Sequence, residues 1–91
     1  MPRFIIERNF GPVTDAEMEV VGSTSKRVAA EQFPDIVWEH SHAIPTPEGL
    51  RTMCVYAAPD EKYVRDHAAA ANLPCDNVQE IGGTVGPADF A

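Results

Sequence analysis

The order of strand-forming and helix-forming segments limits this chain to very few folds. The β-branched segment from Arg3 to Arg8 runs into turn-forming residues, so it is predicted to be a strand. Thr14 and Glu17 follow with the spacing of a capping box, and a helix is expected to begin there. Pro34 ends this helix. Its buried face is predicted to contain residues at helical spacing: Met18, Val21, Ser25, Val28, Ala29 and Phe33.

Two further strands, a second helix and a last strand follow. Residues 36–44 and 52–56 are rich in strand formers, and the segment from Pro45 to Gly49 between them predicts a hairpin with a moderately long loop. Pro59 suits the first turn of a helix that ends near Asn72, which tolerates the left-handed conformation. A weaker strand is expected over residues 78–85, followed by a loosely held tail.

This order of elements predicts an α+β fold of the ferredoxin-like βαββαβ type. Right-handed crossovers place both helices on one face of a four-stranded antiparallel sheet and leave the other face bare. With 91 residues, the chain has room for one domain over residues 1–91, with an ordered core of about residues 2–85. Because so small a core often needs oligomerisation, we expect a homodimer that pairs through the bare face.

Composition and charge exclude several classes of partner. The net charge of −7 and the dispersion of the seven basic residues argue against nucleic acid, whose phosphates need clustered Lys and Arg. No apolar run approaches the roughly 20 residues that cross a membrane. Charged residues from Arg3 to Arg8 interrupt the start of the chain too early for a signal peptide. A cytoplasmic location with two reduced cysteines is therefore expected.

The bare face is predicted to carry both polar and aromatic side chains. Because strand residues alternate between faces, the second strand contributes four residues to this face: Trp38, His40, His42 and Ile44. The third strand is expected to contribute its more functionalised set: Thr52, Cys54 and Tyr56. Its other set is expected to lie under the helices: Met53, Val55 and Ala57.

Three of these residues are candidate metal ligands. His40 and His42 lie about 6.6 Å apart on one face, so both rings can reach one ion. Cys54 would add a thiolate, and such a mixed set suits nickel, zinc or copper better than magnesium or calcium. The alternative is that the histidines are hydrogen-bonded interface residues and Cys54 is an inert core residue. Whether Cys54 lies beside His40 or His42 depends on the hairpin register, which the Pro-rich loop leaves open.

Other residues have simpler interpretations. His67 lies on the apolar stripe of the second helix and is predicted to be a hydrogen-bonded core residue that faces away from the bare side. An ion pair or a contact at the dimer rim would account for Glu7 and Arg8. Trp38 and Tyr56 are candidate ligand-binding residues, since an aromatic lining suits a small aromatic molecule. No phosphate-binding glycine loop, nucleophile elbow or helical pair of zinc histidines is present, which favours a binding protein over an enzyme.

Five segments of the chain carry a family resemblance. They are Pro2 to Phe10, Trp38 to Ser41, Cys54 to Pro59, His67-Ala68 and Leu73-Pro74. Taken in order, they resemble a bacterial family of small uncharacterised domains whose known member is a nickel-binding protein. The resemblance covers nearly the whole chain, and the Cys-Val-Tyr-x-Ala-Pro block is its most specific part. It implies a ferredoxin-like homodimer with a nickel-linked binding role.

Matching position by position identifies family-pattern residues without assigning their roles. These residues are Glu7, Arg8, His40, Cys54, Tyr56 and His67. The chain departs from the pattern at His42, where an aromatic residue is more usual, in the lengthened loop from Pro45 to Gly49, and at Asn72 in place of glycine. His42 either adds a ligand or marks a different specificity. Three functions stay open: a nickel-binding-like metal protein, a dimeric α/β-barrel binder or monooxygenase-like enzyme, and a ligand-free structural dimer.

Overall fold

Two helices pack on one four-stranded antiparallel sheet in the computed structural model, which describes residues 1–91. The strands are β1 (Arg3–Gly11), β2 (Val37–Thr46), β3 (Gly49–Ala57) and β4 (Asn77–Glu80), in the spatial order β2-β3-β1-β4. The helices are α1 (Asp15–Gln32) and α2 (Glu61–Ala70), and a short 3-10 turn follows at Pro87–Asp89. This arrangement confirms the predicted α+β ferredoxin-like fold.

Both helices begin at side-chain caps. Thr14 and Glu17 form the predicted capping box, in which the Glu17 amide donates to Thr14 Oγ1 over 3.1 Å and the Thr14 amide donates to Glu17 Oε1 over 2.9 Å. Asp60 caps α2 by accepting a hydrogen bond from the Tyr63 amide over 2.8 Å. Asn72, just beyond α2, has the predicted left-handed conformation with φ of 56°. No helix combines the length and hydropathy needed to cross a membrane.

The β2–β3 hairpin is tighter than the sequence suggested. The predicted loop from Pro45 to Gly49 is mostly strand, because β2 continues to Thr46 and β3 begins at Gly49. Since β2 is an edge strand, Pro45 is accommodated although it has no amide hydrogen to donate. At Gly49 a Cβ would overlap the backbone of Gly11, and φ is 128°, so the turn requires glycine there.

The last strand is shorter than the predicted strand over residues 78–85. It pairs with β1 only over Asn77–Glu80 and is followed by two adjacent glycines, which weaken extended pairing. Contacts with β1 continue a little further, since the Ile81 amide donates to the Arg3 carbonyl over 2.7 Å and Arg3 Nη1 donates to Thr84 Oγ1 over 3.1 Å. The chain is therefore attached to β1 as far as Thr84.

The helices cover the face of the sheet that carries Cys54 and Tyr56, although the sequence predicted these residues on the bare face. In the pairing of β1 with β3, Phe4 stands opposite Tyr56 and Ile6 opposite Cys54, so each pair shares one face. The core under the helices consists of Phe4, Ile6, Cys54, Tyr56, Ala58, Val64 and Val78. The assignment of β3 was therefore wrong: Thr52, Cys54 and Tyr56 lie under the helices, and Met53, Val55 and Ala57 lie on the bare face.

A β-bulge in β2 separates Trp38 from the histidines. Trp38 and His40 pair with adjacent residues of β3, Tyr56 and Val55, so Glu39 is an extra residue without a partner. This extra residue reverses the alternation of faces. Trp38 thus lies on the helix-covered face, while the two histidines that follow lie on the bare face. The prediction that these side chains share a face was wrong, because it assumed an unbroken strand.

Candidate functional site

His40 and His42 form a pair of imidazoles on the bare face of β2. Their ring centroids are 5.2 Å apart and the ring planes meet at 74°. Both residues are exposed, and in the sheet they pair with Val55 and Met53 of β3. Beyond the bulge the strand is regular, so residues two apart share a face, and the predicted proximity of the two imidazoles is confirmed. Their ring nitrogens can be reached from solvent.

The histidine pair supplies only part of a metal site. The chain contains no group of three or more His, Cys, Asp or Glu residues that could hold an ion. Cys54 is buried on the opposite face of the sheet, where it pairs with Ser41 in register and its thiol donates to Thr52 Oγ1 over 3.6 Å. The expectation that Cys54 shares a face with the histidines was therefore wrong. Two imidazoles suit nickel chemically, but further ligands must come from outside this chain.

An ion pair crosses the bare face next to the bulge. Arg3 donates from Nε and Nη2 to the two carboxylate oxygens of Glu39, over 2.8 and 2.9 Å. The pair spans Ala57 of β3, which stands between Arg3 and Val37 in the sheet and has a side chain small enough to leave room. The hydrogen bond from Arg3 lowers the pKa of Glu39. Both charges are thus compensated within the chain.

Several large aliphatic residues lie on the bare face beside the histidine pair and the ion pair. Ile5, Val37 and Ile44 are 39, 51 and 38% exposed, although each is a large hydrophobic residue in a strand. Met53 and Val55 of β3 lie between β1 and β2 on the same face. Exposed aliphatic surface that borders polar groups is typical of a surface that contacts another molecule.

His67 is a core residue, as the sequence indicated. It is fully buried, and its Nε2 donates to the Ser25 carbonyl of α1 over 3.1 Å, since a carbonyl can only accept. The rings of Phe33 and Tyr56 lie 5.7 and 5.8 Å from its own. Burial lowers the pKa of His67, and the charge of Arg8 lowers it further. His67 is therefore a neutral residue that connects α2 to α1, away from the bare face.

Glu7 and Arg8 are neighbours in sequence but point to opposite faces. Glu7 lies on the bare face and accepts a hydrogen bond from Asn9 Nδ2 over 3.0 Å. Arg8 is only 1% exposed beneath the helices, where Nη1 donates to the Pro74 carbonyl over 2.8 Å. Its guanidinium carbon lies 5.6 Å from the ring centroid of Tyr56. The prediction of an ion pair or a rim contact was wrong for Arg8, because it is buried and no acidic side chain pairs with it.

Trp38 and Tyr56 line two adjoining clefts between α1 and the sheet. The clefts have volumes of about 360 and 190 Å³, and Ser25 lines both of them as well. Trp38 is 46% exposed, and its indole Nε1 donates to Ser41 Oγ over 2.9 Å. Sequence reasoning missed these clefts because it placed both aromatic residues on the bare face.

Comparison with known proteins gives a family match and a structural neighbour. A family model described as nickel responsive protein SCO4226-like matches residues 4–81. The crystal structure of SCO4226 from Streptomyces coelicolor A3(2) is similar, with a TM-score of 0.71 and 15% sequence identity over 91% of this chain and 99% of that one. No curated protein matches the chain significantly. The structural likeness supports the fold, and the family match extends over most of the sequence.

Proposed function

Because the chain belongs to the nickel responsive, SCO4226-like family, we propose that it binds nickel through His40 and His42 in a homodimer that buries the bare face. The observation that carries this proposal is the pair of exposed imidazoles with ring centroids 5.2 Å apart. Imidazole nitrogen is a ligand that nickel accepts readily. The role in the cell would be that of a nickel-binding protein.

A second copy of the chain would supply the ligands that one copy lacks. In a two-fold symmetric dimer, any surface patch near the axis meets the same patch of the other copy. Two imidazoles from each copy would then make a set of four nitrogen donors, whereas one chain holds no group of three. The additional His42, which departs from the family pattern, would double the number of imidazoles on this face.

The bare face has the properties that such a dimer needs. Ile5, Val37 and Ile44 are exposed aliphatic residues, and burial of apolar surface is the main favourable term in protein association. The ion pair between Arg3 and Glu39 already compensates its two charges, so it would bring no unpaired charge to the interface. The exposed aliphatic residues and the compensated ion pair favour self-association over an interface with a strongly charged partner.

Titration calorimetry with nickel chloride tests the ligand assignment. We expect the double variant His40→Ala with His42→Ala to lose at least about 100-fold in affinity, because both proposed donors are removed. Cys54→Ala and Ser41→Ala serve as matched controls, since both side chains lie on the other face, and they should bind nickel as the wild type does. Unchanged affinity in the histidine variant, or loss of binding in Cys54→Ala alone, would refute the assignment.

The affinity should also fall on acidification. Only the neutral imidazole has a lone pair for a metal, so protons and nickel compete for the same nitrogens.

The alternative of a binder with Trp38, His40 and Tyr56 around one cavity is not supported, because the bulge puts His40 on the opposite face from the two aromatic residues.

A further inference from the structure

Arg8 is a buried guanidinium without a counter-ion. It is 1% exposed, and none of the ion pairs in the structure includes it. The Pro74 carbonyl accepts from Nη1 over 2.8 Å, but Nη2 has no hydrogen-bond partner. A buried cation that lacks both a charge partner and a full set of hydrogen bonds strongly disfavours the folded state. This position therefore calls for an anion.

A cleft with room for a small anion is lined in part by Arg8. Arg8 lines the cleft of about 190 Å³, between α1 and the centre of the sheet. Trp38 and Tyr56 line both this cleft and the larger one of about 360 Å³, so the two clefts adjoin. Trp38 is half-exposed. A small molecule can thus enter from the open side of the cleft, at the β2 edge of the sheet, with Arg8 in the cleft wall.

Two hydroxyl groups in the same cleft have protons to donate. Ser41 Oγ accepts from the indole of Trp38 over 2.9 Å, and Thr52 Oγ1 accepts from the thiol of Cys54 over 3.6 Å. Each oxygen already uses a lone pair within the chain, so its O–H remains for another acceptor. The lining contains no Asp or Glu, and the remainder is mainly apolar. The cleft therefore combines several hydrogen-bond donors with an otherwise mainly apolar lining.

We propose that this cleft binds a small organic monocarboxylate, with its carboxylate on Arg8 and its hydrocarbon part along α1. One negative charge balances the single guanidinium, and guanidinium with carboxylate forms strong charge-assisted hydrogen bonds. A phosphate dianion would need further cationic or amide donors, and no lysine or helix N-terminus lines the cleft. The volume is about six times the ~30 Å³ of a water molecule, so a ligand of roughly six non-hydrogen atoms fits.

This site is separate from the proposed nickel site. The cleft lies on the helix-covered face, whereas His40 and His42 lie on the bare face of the same sheet. Loss of nickel binding would leave carboxylate binding intact, and the reverse also holds. The two proposals therefore fail independently.

Titration of the full chain with sodium butyrate tests the proposal. Butyrate has six non-hydrogen atoms, and butyramide has nearly the same shape without the charge. Using amide NMR shifts at constant ionic strength, we expect saturable changes around the cleft with butyrate and at least tenfold weaker binding of butyramide. The melting temperature should rise with the logarithm of butyrate concentration, because the ligand binds the folded chain. Inorganic phosphate and chloride at the same ionic strength should give no saturable change.

Variants distinguish the cleft from other anion sites. Arg8→Met replaces a buried charge by an apolar chain of similar length, so the fold should persist while butyrate affinity falls at least tenfold. Thr52→Val keeps Arg8 and should weaken binding about threefold or more. Arg27→Met removes an exposed arginine of α1 and should leave affinity unchanged. The proposal is overturned if butyrate gives no saturable change, if phosphate or chloride binds as well as butyrate, or if folded Arg8→Met binds butyrate like the wild type.

Discussion

Burial decides what the three histidines of this chain can do. His40 and His42 are exposed on the bare face, where a ring nitrogen can meet an ion. His67 has the same side chain, but its burial lowers its pKa and leaves its Nδ1 without a hydrogen-bond partner. A neutral imidazole is therefore built into the contact between the helices, and stability should depend on the pH at which it takes a proton.

We predict that the free energy of unfolding falls as the pH is lowered from 7 towards 5. In the unfolded chain His67 takes up a proton near its ordinary pKa of about 6.5, whereas in the folded chain its pKa is lower. Between these two values the unfolded state binds more protons, so acidification favours it by up to about 1.4 kcal/mol per pH unit. Urea denaturation at several pH values measures this dependence.

The variant His67→Gln isolates the effect, because glutamine keeps an N–H donor for the Ser25 carbonyl but does not titrate. Its stability should change much less between pH 7 and 5 than that of the wild type. The carboxyls of Glu17 and Glu39 have pKa values lowered from about 4.5. They therefore affect the pH dependence of stability only below about pH 4.5. An equal slope in the wild type and in His67→Gln would contradict the role given to His67.

Some residue positions could be predicted from the sequence and others could not, for a physical reason. His40 and His42 are two residues apart, so a regular stretch of strand is enough to place both on one face. The position of Cys54 relative to them depends on the pairing of β2 with β3 and on the extra residue Glu39. Strand register is set by contacts between distant segments, which the local sequence does not contain.

Local signals predicted the helix starts and the residue after α2 more reliably than the ends and the pairing of the strands. The capping box of Thr14 and Glu17 and the left-handed Asn72 follow from hydrogen bonds and sterics within a few residues. The hairpin differed from expectation because Pro45 is tolerated at the edge of the sheet. A proline in a central strand would have broken the pairing as predicted.

The turn between β2 and β3 should tolerate no side chain at Gly49. We expect Gly49→Ala to lower the free energy of unfolding by about 2 kcal/mol or more, since it combines an unfavourable φ of 128° with overlap against the backbone of Gly11. Gly83→Ala is the matched control, because open space surrounds that position. Chemical denaturation measures the free energy of unfolding of both variants. Equal values would contradict the prediction and show that the hairpin can move away from Gly11.

At the scale of the whole molecule, the two faces of the sheet have different tasks. The covered face holds the core, the neutral His67 and the cleft at Arg8. The bare face holds the histidine pair among exposed aliphatic residues, in the part of the sheet that we propose to lie between two copies. Nickel binding and dimer formation should therefore depend on each other, because each copy provides only two imidazoles.

This coupling predicts the effect of a charge on the bare face. Ile5→Lys places an ammonium in the proposed interface and should weaken both dimer formation and nickel binding at least tenfold, although both histidines are retained. Val20→Lys is the matched control, because Val20 is 66% exposed on α1 and lies outside the sheet. It should dimerise and bind nickel as the wild type does.

Native mass spectrometry of the wild type, Ile5→Lys and Val20→Lys during a nickel titration measures the mass and metal content of each species together. We predict that nickel is carried by the dimer of the wild type and of Val20→Lys, and that the monomer of Ile5→Lys carries little. Stoichiometric nickel on wild-type monomers, or dimers that never take up nickel, would contradict a nickel site shared by two copies across the bare face.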